Sequence, residues 1–180
     1  MDVTTVDLTL GNDDFLVFQL YTASKSPTVR QARFKSRLVI PVLYLLIAVV
    51  FLLGRNYALG GAVVAAGGLW FLFYPAYSRR KYRKHYQKHI AENYQNRVGV
   101  AGHLKLTDDS LHFDDVSGQS AVKLEAIAAI NELPGHYFIK LKQDVSLILP
   151  KSMAGAEDFI TALEAKTGLA RTPELAWVWR

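Results

Sequence analysis

His85 and His89 stand four residues apart in "SRRKYRKHYQKH", a spacing that puts two imidazoles on one helical face and offers two nitrogens to one metal. The metalloprotease pattern at that spacing needs Glu at position 86, where this chain has Tyr86, so the general base is missing and no third ligand presents itself. The pair therefore reads as part of a basic interface. Asp108 with Asp109, and Asp114 with Asp115, supply the hard oxygens that suit calcium or magnesium. Both pairs flank turns between alternating segments, however, where Asp is favoured for local hydrogen bonding. There is no G-x-S-x-G, no phosphate-cradling glycine loop and no zinc pattern. With no cysteine, a disulfide framework, a thiolate zinc site and a cysteine nucleophile are all excluded. The expectation is a non-enzyme without metal or cofactor.

The same stretch raises a different chemistry, because six Lys/Arg within residues 79–88 interleaved with tyrosines suggest nucleic acid. Charge counted by segment argues against it. Residues 1–37 carry five Lys/Arg and four Asp, residues 79–97 carry seven Lys/Arg and one Glu, and residues 98–180 carry eight Lys/Arg against eleven Asp/Glu. The formal net charge of +5 thus belongs to one short segment, and the C-terminal half has the wrong sign for tracking phosphates.

The element that must position this cluster lies just before it. Between residues 38 and 78 the only formal charge is Arg55, which divides "LVIPVLYLLIAVVFLLG" from "NYALGGAVVAAGGLWFLFYPAYS". A helix needs roughly 17–25 apolar residues to cross a bilayer, so both segments qualify, the first at the short end. Two spans joined by a tight turn form a helical hairpin in which each helix satisfies its own backbone. Pro41 is expected near the start of the first span, where a missing amide donor costs little. Gly60, Gly61, Gly67 and Gly68 with Ala62, Ala65 and Ala66 let helices approach closely, within the hairpin or between copies of it, so self-association through the hairpin is a further expectation. A first span that begins after a polar segment of more than thirty residues and has a second behind it is expected to be a signal anchor or a full hairpin and not a cleaved signal peptide.

Orientation follows from the flanking cations. Arg30, Arg33, Lys35 and Arg37 precede the first span; Arg79, Arg80, Lys81, Arg83, Lys84 and Lys88 follow the second; the turn holds only Arg55. The positive-inside rule then puts both termini in the cytoplasm, with Trp70, Tyr74 and Tyr77 at the inner interface. Beyond Pro75, Tyr82, Tyr86, Ile90 and Tyr94 advance by four, which predicts an amphipathic stalk continuing the second span. Its cations are suited to anionic headgroups, at about 1 kcal/mol each near the surface.

From residue 98 the period changes to two. "VAGHLKLTDDSLHFDD" predicts two strands around the turn 107–110, "VSGQSAVKL" adds a third after a turn at Gly118, and "AIAAINELPGHYFIKLKQDVSLILP" gives three more, broken at Pro134–Gly135 and at Gln143–Asp144. Pro150 is expected to end the sheet. "AGAEDFITALEAKTG" predicts a helix with Phe159, Ile160 and Leu163 on one face and its stop at Gly168. The N-terminal "VDLTLGNDDFLVFQLYTAS" offers a strand over residues 3–10 and Asn12 as a helix cap. A lone strand is marginal, so pairing with the C-terminal sheet is the economical solution. The expected fold is an α+β membrane protein: a transmembrane hairpin inserted in one small antiparallel sheet domain with a C-terminal helix. Its segments are residues 1–37, 38–78 (hairpin), 79–97 (basic stalk), 98–168 (β domain) and 169–180 (tail).

The order of "LTLGNDDFLVFQLYTASKSPTVR", the two spans, a stalk ending in "AENYQNRVG", then "LKLTDDSLHF", "AIAAINELPGHYFIKLK" and "SLILPKSM" before a helix with Phe159 resembles the YcxB-like family of bacterial membrane proteins. That resemblance implies a pleckstrin-homology-like cytoplasmic domain on a bacterial inner-membrane anchor, and it carries no catalytic residues. The tail "LARTPELAWVWR" falls outside the family pattern, and its Trp177 and Trp179 are of the type found at bilayer and protein interfaces. The functional expectation is a membrane-anchored scaffold or regulatory module that meets anionic lipid and an unknown protein partner through a sheet edge and the tail tryptophans. The alternative is an immunity protein against a membrane-acting toxin. A channel or transporter subunit ranks lowest, because Arg55 sits in the turn and Tyr44 and Trp70 are poor pore linings.

Overall fold

Alternation of side chains gives the strands two faces, and the first two strands display it plainly. In the computed structural model, which describes residues 4–115, 118–143 and 145–180, β1 (Thr4–Thr9) buries Val6 and Leu8. Strand β2 (Ala101–Leu106) buries Gly102, Leu104 and Leu106. The two are antiparallel in unbroken register from Thr4↔Leu106 to Thr9↔Ala101, so the N-terminal strand does join the C-terminal sheet. Strands β3 (Ser110–Asp115) and β4 (Gly118–Lys123) complete a sheet of order β1-β2-β3-β4. The expected strand start at Val3, Val116 and Ser117 beside the turn at Gly118, and Asp144 of the last turn lie outside the described residues.

A single sheet was expected; two are found. A 3-10 turn at Leu124–Ala126 rotates the chain out of the first ladder, and β5 (Ile127–Glu132), β6 (His136–Leu141) and β7 (Ser146–Pro150) pair with one another instead. Nor does Pro150 end the pairing. Beyond α4 (Ala156–Thr167), the two-residue β8 (Thr172–Pro173) lies parallel to β5, giving the order β7-β6-β5-β8. Helix α4 starts after Gly155, ends at Gly168 in the left-handed region (φ 69°) and buries Phe159, Ile160 and Leu163 completely. They join Leu104, Leu106, Ile130, Ile139 and Leu149 in one core.

Helix α1 (Asn12–Lys25) corrects the expected cap by one residue. The Gly11 carbonyl accepts the first helical bond from Phe15, while the Asp14 carboxylate accepts from the Gly11 amide at 2.7 Å. Gly11 is the cap residue and Asp14 takes the acidic role of a capping box. Helix α2 (Pro27–Leu53) begins well before the apolar run: Ser26 caps it, accepting from the Val29 amide, and Pro27 occupies the first turn. Pro41 is consequently in the helix interior, not at its start. The basic segment before it folds as helix because nothing in "TVRQARFKSR" breaks one.

Helix α3 (Tyr57–Asn93) runs unbroken through Pro75 into the basic segment. It packs antiparallel to α2: a side chain at Gly60 would meet Leu52 Cδ2 at 2.7 Å, and one at Gly67 would meet Tyr44 Cβ at 3.3 Å. Between them Arg55 adopts φ 58°, and the Asn56 side chain accepts from the Leu59 amide to start α3. Both helices are long and apolar enough to cross a membrane, and only 6% and 17% of their most apolar windows are buried. The chain divides into two compact units, Met1–Phe18 with Gln87–Val178, and Gln19–Tyr86 with Trp179–Arg180.

Leu104 faces Val6 across the β1–β2 ladder and is 1% exposed, so Leu104→Ala is expected to destabilise the sheet unit by about 2–5 kcal/mol. Exposed Lys105→Ala should cost less than about 0.5 kcal/mol. Urea melts followed by circular dichroism separate the two; equal effects would contradict this register.

Candidate functional site

The helical pair carries most of the residues singled out by sequence. A proline within a helix leaves the carbonyl four residues earlier without its partner. Pro75 does this to Phe71, and the Arg37 Nε donates to that carbonyl at 3.2 Å while its guanidinium lies 3.9 Å from the Phe71 ring centroid. A cation of α2 thus repairs a break in α3. Below this point Trp70, Tyr74 and Tyr77 do come together, with ring centroids 5.6, 6.0 and 6.3 Å apart, and Tyr74 is buried. Further along, Arg79, Arg80, Lys81, Arg83 and Lys84 are all exposed. The interleaved Tyr82 and Tyr86 are half-buried, with ring centroids 6.4 Å apart, as the four-residue stripe requires. In the stretch of α3 that belongs to the sheet unit, Ile90 is buried and Lys88 is exposed, paired with Glu92 at 3.6 Å.

The tail tryptophans part company. Trp179 belongs to the helical unit, where its ring lies 4.7 Å from the Arg33 guanidinium and 6.1 Å from the Tyr82 ring, and its indole N–H donates to the Arg79 carbonyl at 3.3 Å. Arg33 also donates to the Ser78 hydroxyl at 3.0 Å and to the main-chain oxygen of Arg180 at 2.6 Å. Ser78 is 1% exposed, so its hydroxyl finds in Arg33 the partner that burial demands. This node was missed by sequence reasoning, which weighed Arg33 only as a topological charge. Trp177 belongs to the sheet unit, and its amide donates to the Glu174 carbonyl.

Within the sheet unit, Arg171 fixes the start of the tail. Its Nη2 and Nε both donate to Oε2 of Glu164, at 2.7 and 3.0 Å, its amide donates to Oε1 of the same carboxylate, and Nη1 reaches Glu157 at 2.5 Å. The buried Tyr137 hydroxyl donates to the other oxygen of Glu157. Burial, then the bond to Glu157, pushes the Tyr137 phenol up to about 12. The Tyr137 and Arg171 hydrogen bonds hold the Glu157 carboxyl below the usual range, and Arg171 does the same for Glu164. The first acidic pair likewise serves the fold: Asp108 binds Lys166 at 2.6 Å, which lowers its carboxyl, and Asp109 accepts from Ser110 and Thr107 in the β2–β3 turn. His89 Nδ1 lies 3.1 Å from Asn93 Nδ2, and His85 is exposed.

A cavity of about 410 Å³ opens in the sheet unit and is lined by residues of one edge strand from each sheet, 118–120 of β4 and 146–148 of β7. Leu8, Phe15, Leu104 and Ile148 form its buried apolar floor. Arg97 stands at its rim, placed by the turn in which the amides of Arg97 and Val98 bond the Tyr94 carbonyl and Gly99 (φ 75°) bonds Leu10. The sequence held no signal for this cavity, because its lining comes from six separate stretches. Comparison of the chain with models of protein families gave no match, and comparison with curated proteins and with solved structures gave none either.

Tyr137 titrates at about 12 in the folded chain against about 10 when unfolded, so its contribution is complete below pH 10 and lost as pH rises through 12. Thermal melts at pH 9 and 11.5 should show a smaller alkaline loss in Tyr137→Phe than in the parent chain. An equal loss would mean the phenol is not held neutral by its surroundings.

Proposed function

We propose that the chain is an integral protein of a bacterial inner membrane, in which α2 and α3 span the bilayer as a hairpin and hold the sheet unit on the cytoplasmic side as a non-enzymatic binding or regulatory module. The observation that carries this reading is the apolar belt. Val42, Leu46, Val50, Leu53, Leu69 and Leu72, among many large apolar side chains of α2 and α3, stay between 52% and 81% exposed, on helices with no formal charge between residues 38 and 78 except Arg55. A helical pair of a water-soluble fold has to cover such surface, whereas hydrocarbon covers it without cost. The cations gather at one end of the pair, which under the positive-inside rule supports cytoplasmic termini.

The arrangement of β1–β4, β5–β7 and closing α4 is consistent with a pleckstrin-homology-like domain, interrupted after its first strand by the two helices. The YcxB-like resemblance implies the same plan, a small sheet domain carried on a membrane anchor. The exposed collar of Arg79, Arg80, Lys81, Arg83 and Lys84 is suited to anionic headgroups, and the free edges β4 and β7 to a protein strand. Gly61 and Gly68 have open space around them, unlike Gly60 and Gly67, and are the positions through which two hairpins would associate.

Alkaline carbonate should leave the chain in the membrane pellet; its release into the supernatant would sink the spanning reading. In reconstituted vesicles, changing Arg79, Arg80 and Lys81 together to Gln is expected to lower the preference for phosphatidylglycerol over phosphatidylcholine by about tenfold or more, given roughly 1 kcal/mol per cation near the surface. An unchanged preference would reduce the collar to a topological signal.

A further inference from the structure

We infer that the cavity between the free edges of β4 and β7 is a binding site for a single-chain amphiphile with an anionic head, of the fatty-acid type. Its volume of about 410 Å³ lies at the small end of the roughly 300–1,000 Å³ range of ligand pockets and has room for one acyl chain, not the two of a phospholipid. The floor is aliphatic and aromatic and fully buried. The two sheets do not seal this side, because β4 and β7 end their ladders and, among the described residues, each pairs on one side only, β4 with β3 and β7 with β6.

Two features of the rim select the ligand. Val145, at the mouth, is 53% exposed, and in the sheet unit it is one of only three large apolar side chains among the described residues to be so, with Leu175 and Val178. An apolar lip at the mouth is what an entering chain would slide past. Arg97 is the only cation of the lining, and among the described residues its guanidinium makes no hydrogen bond or ion pair, so it is available to a carboxylate. Among the described residues Asp115 is the one carboxylate of the lining, and it already has a partner. Ser120, Ser146 and Gln119 add hydroxyl and amide groups at the same rim. The inference rests on the proposed membrane reading only for the supply of amphiphile, since the cavity belongs to the sheet unit alone.

The test uses the full chain in nanodiscs with two photoreactive probes, a palmitic acid and a phosphatidylglycerol, each with a diazirine at the chain end, and cross-linked residues located by mass spectrometry. The free acid should label residues 145–148, 113–115 and 118–120, and the phospholipid should not. Arg97→Ala should lower that labelling about tenfold, the worth of one charge-assisted contact. Leu147→Trp, which fills a half-buried wall position, should abolish it while thermal melts stay cooperative. Labelling of these residues by the phospholipid, or equal labelling in both variants, would overturn the inference. Free-acid labelling confined to residues 38–78 would overturn it too while leaving the membrane reading intact. Cavity labelling with no label from either probe in residues 38–78 would uphold it and sink the membrane reading instead.

Discussion

The β1–β2 ladder is the interaction on which the rest depends. Thr9 pairs with Ala101, and the Gly99 amide donates to the Leu10 carbonyl at 2.8 Å, so the chain leaves the first sheet and returns to it at the same place. Whatever lies between must be a closed excursion. Two antiparallel helices joined by a short turn form the smallest helical excursion that satisfies this, and in a bilayer an excursion that starts and ends at one point crosses an even number of times. An excursion of that kind would leave both flanks on one side of the membrane, whichever side the positive-inside count selects. Closing so long a loop costs little more than closing a short one, because the entropy grows only logarithmically with length. Six paired residues with Val6 and Leu8 buried against Leu104 and Leu106 can offset it.

Inside the helical pair, the polar groups mend what the prolines and burial disturb. Arg37 takes the Phe71 carbonyl released by Pro75, and Arg33 takes the buried Ser78 hydroxyl. Each of these arginines also lies against an aromatic ring, where partial desolvation strengthens the contact, by roughly 0.5–2 kcal/mol. The cations that sequence counting treats as a uniform collar are therefore of two kinds. Arg33 and Arg37 on α2 hold structure, whereas Arg79, Arg80, Lys81, Arg83 and Lys84 on α3 are exposed and available.

Period decided what was legible in the sequence. Strict alternation in "HLKL" and "FIKL", turn residues at Pro134–Gly135, and the signals of α4 place β2, β6 and the capping helix where they are found. The long apolar runs place the helices, and the four-residue tyrosine spacing gives the face of α3 that is least exposed. Three features were beyond it. The division into two sheets depends on one 3-10 turn at Leu124–Ala126, which has no distinctive composition. Strand β8 contains Pro173 and spans two residues, too short for any periodicity. Start positions shifted because caps compete locally: Ser26 and Pro27 open α2 eleven residues before the charge-free run, which puts Pro41 in its interior. Of the candidate site, the aromatic trio and the exposed collar were legible, while the Arg33–Trp179 node and the cavity join residues far apart in the chain.

The absence of cysteine makes a direct topological measurement possible in the otherwise native chain. Single variants Tyr57→Cys, at the turn between α2 and α3, and Lys105→Cys, on the exposed face of β2, place one thiol at each end of the proposed arrangement. With a membrane-impermeant maleimide on bacterial cells whose inner membrane is intact, the account predicts that Tyr57→Cys is labelled and that Lys105→Cys is labelled only after the inner membrane is permeabilised. Labelling of both before permeabilisation, or of Lys105→Cys alone, would contradict it.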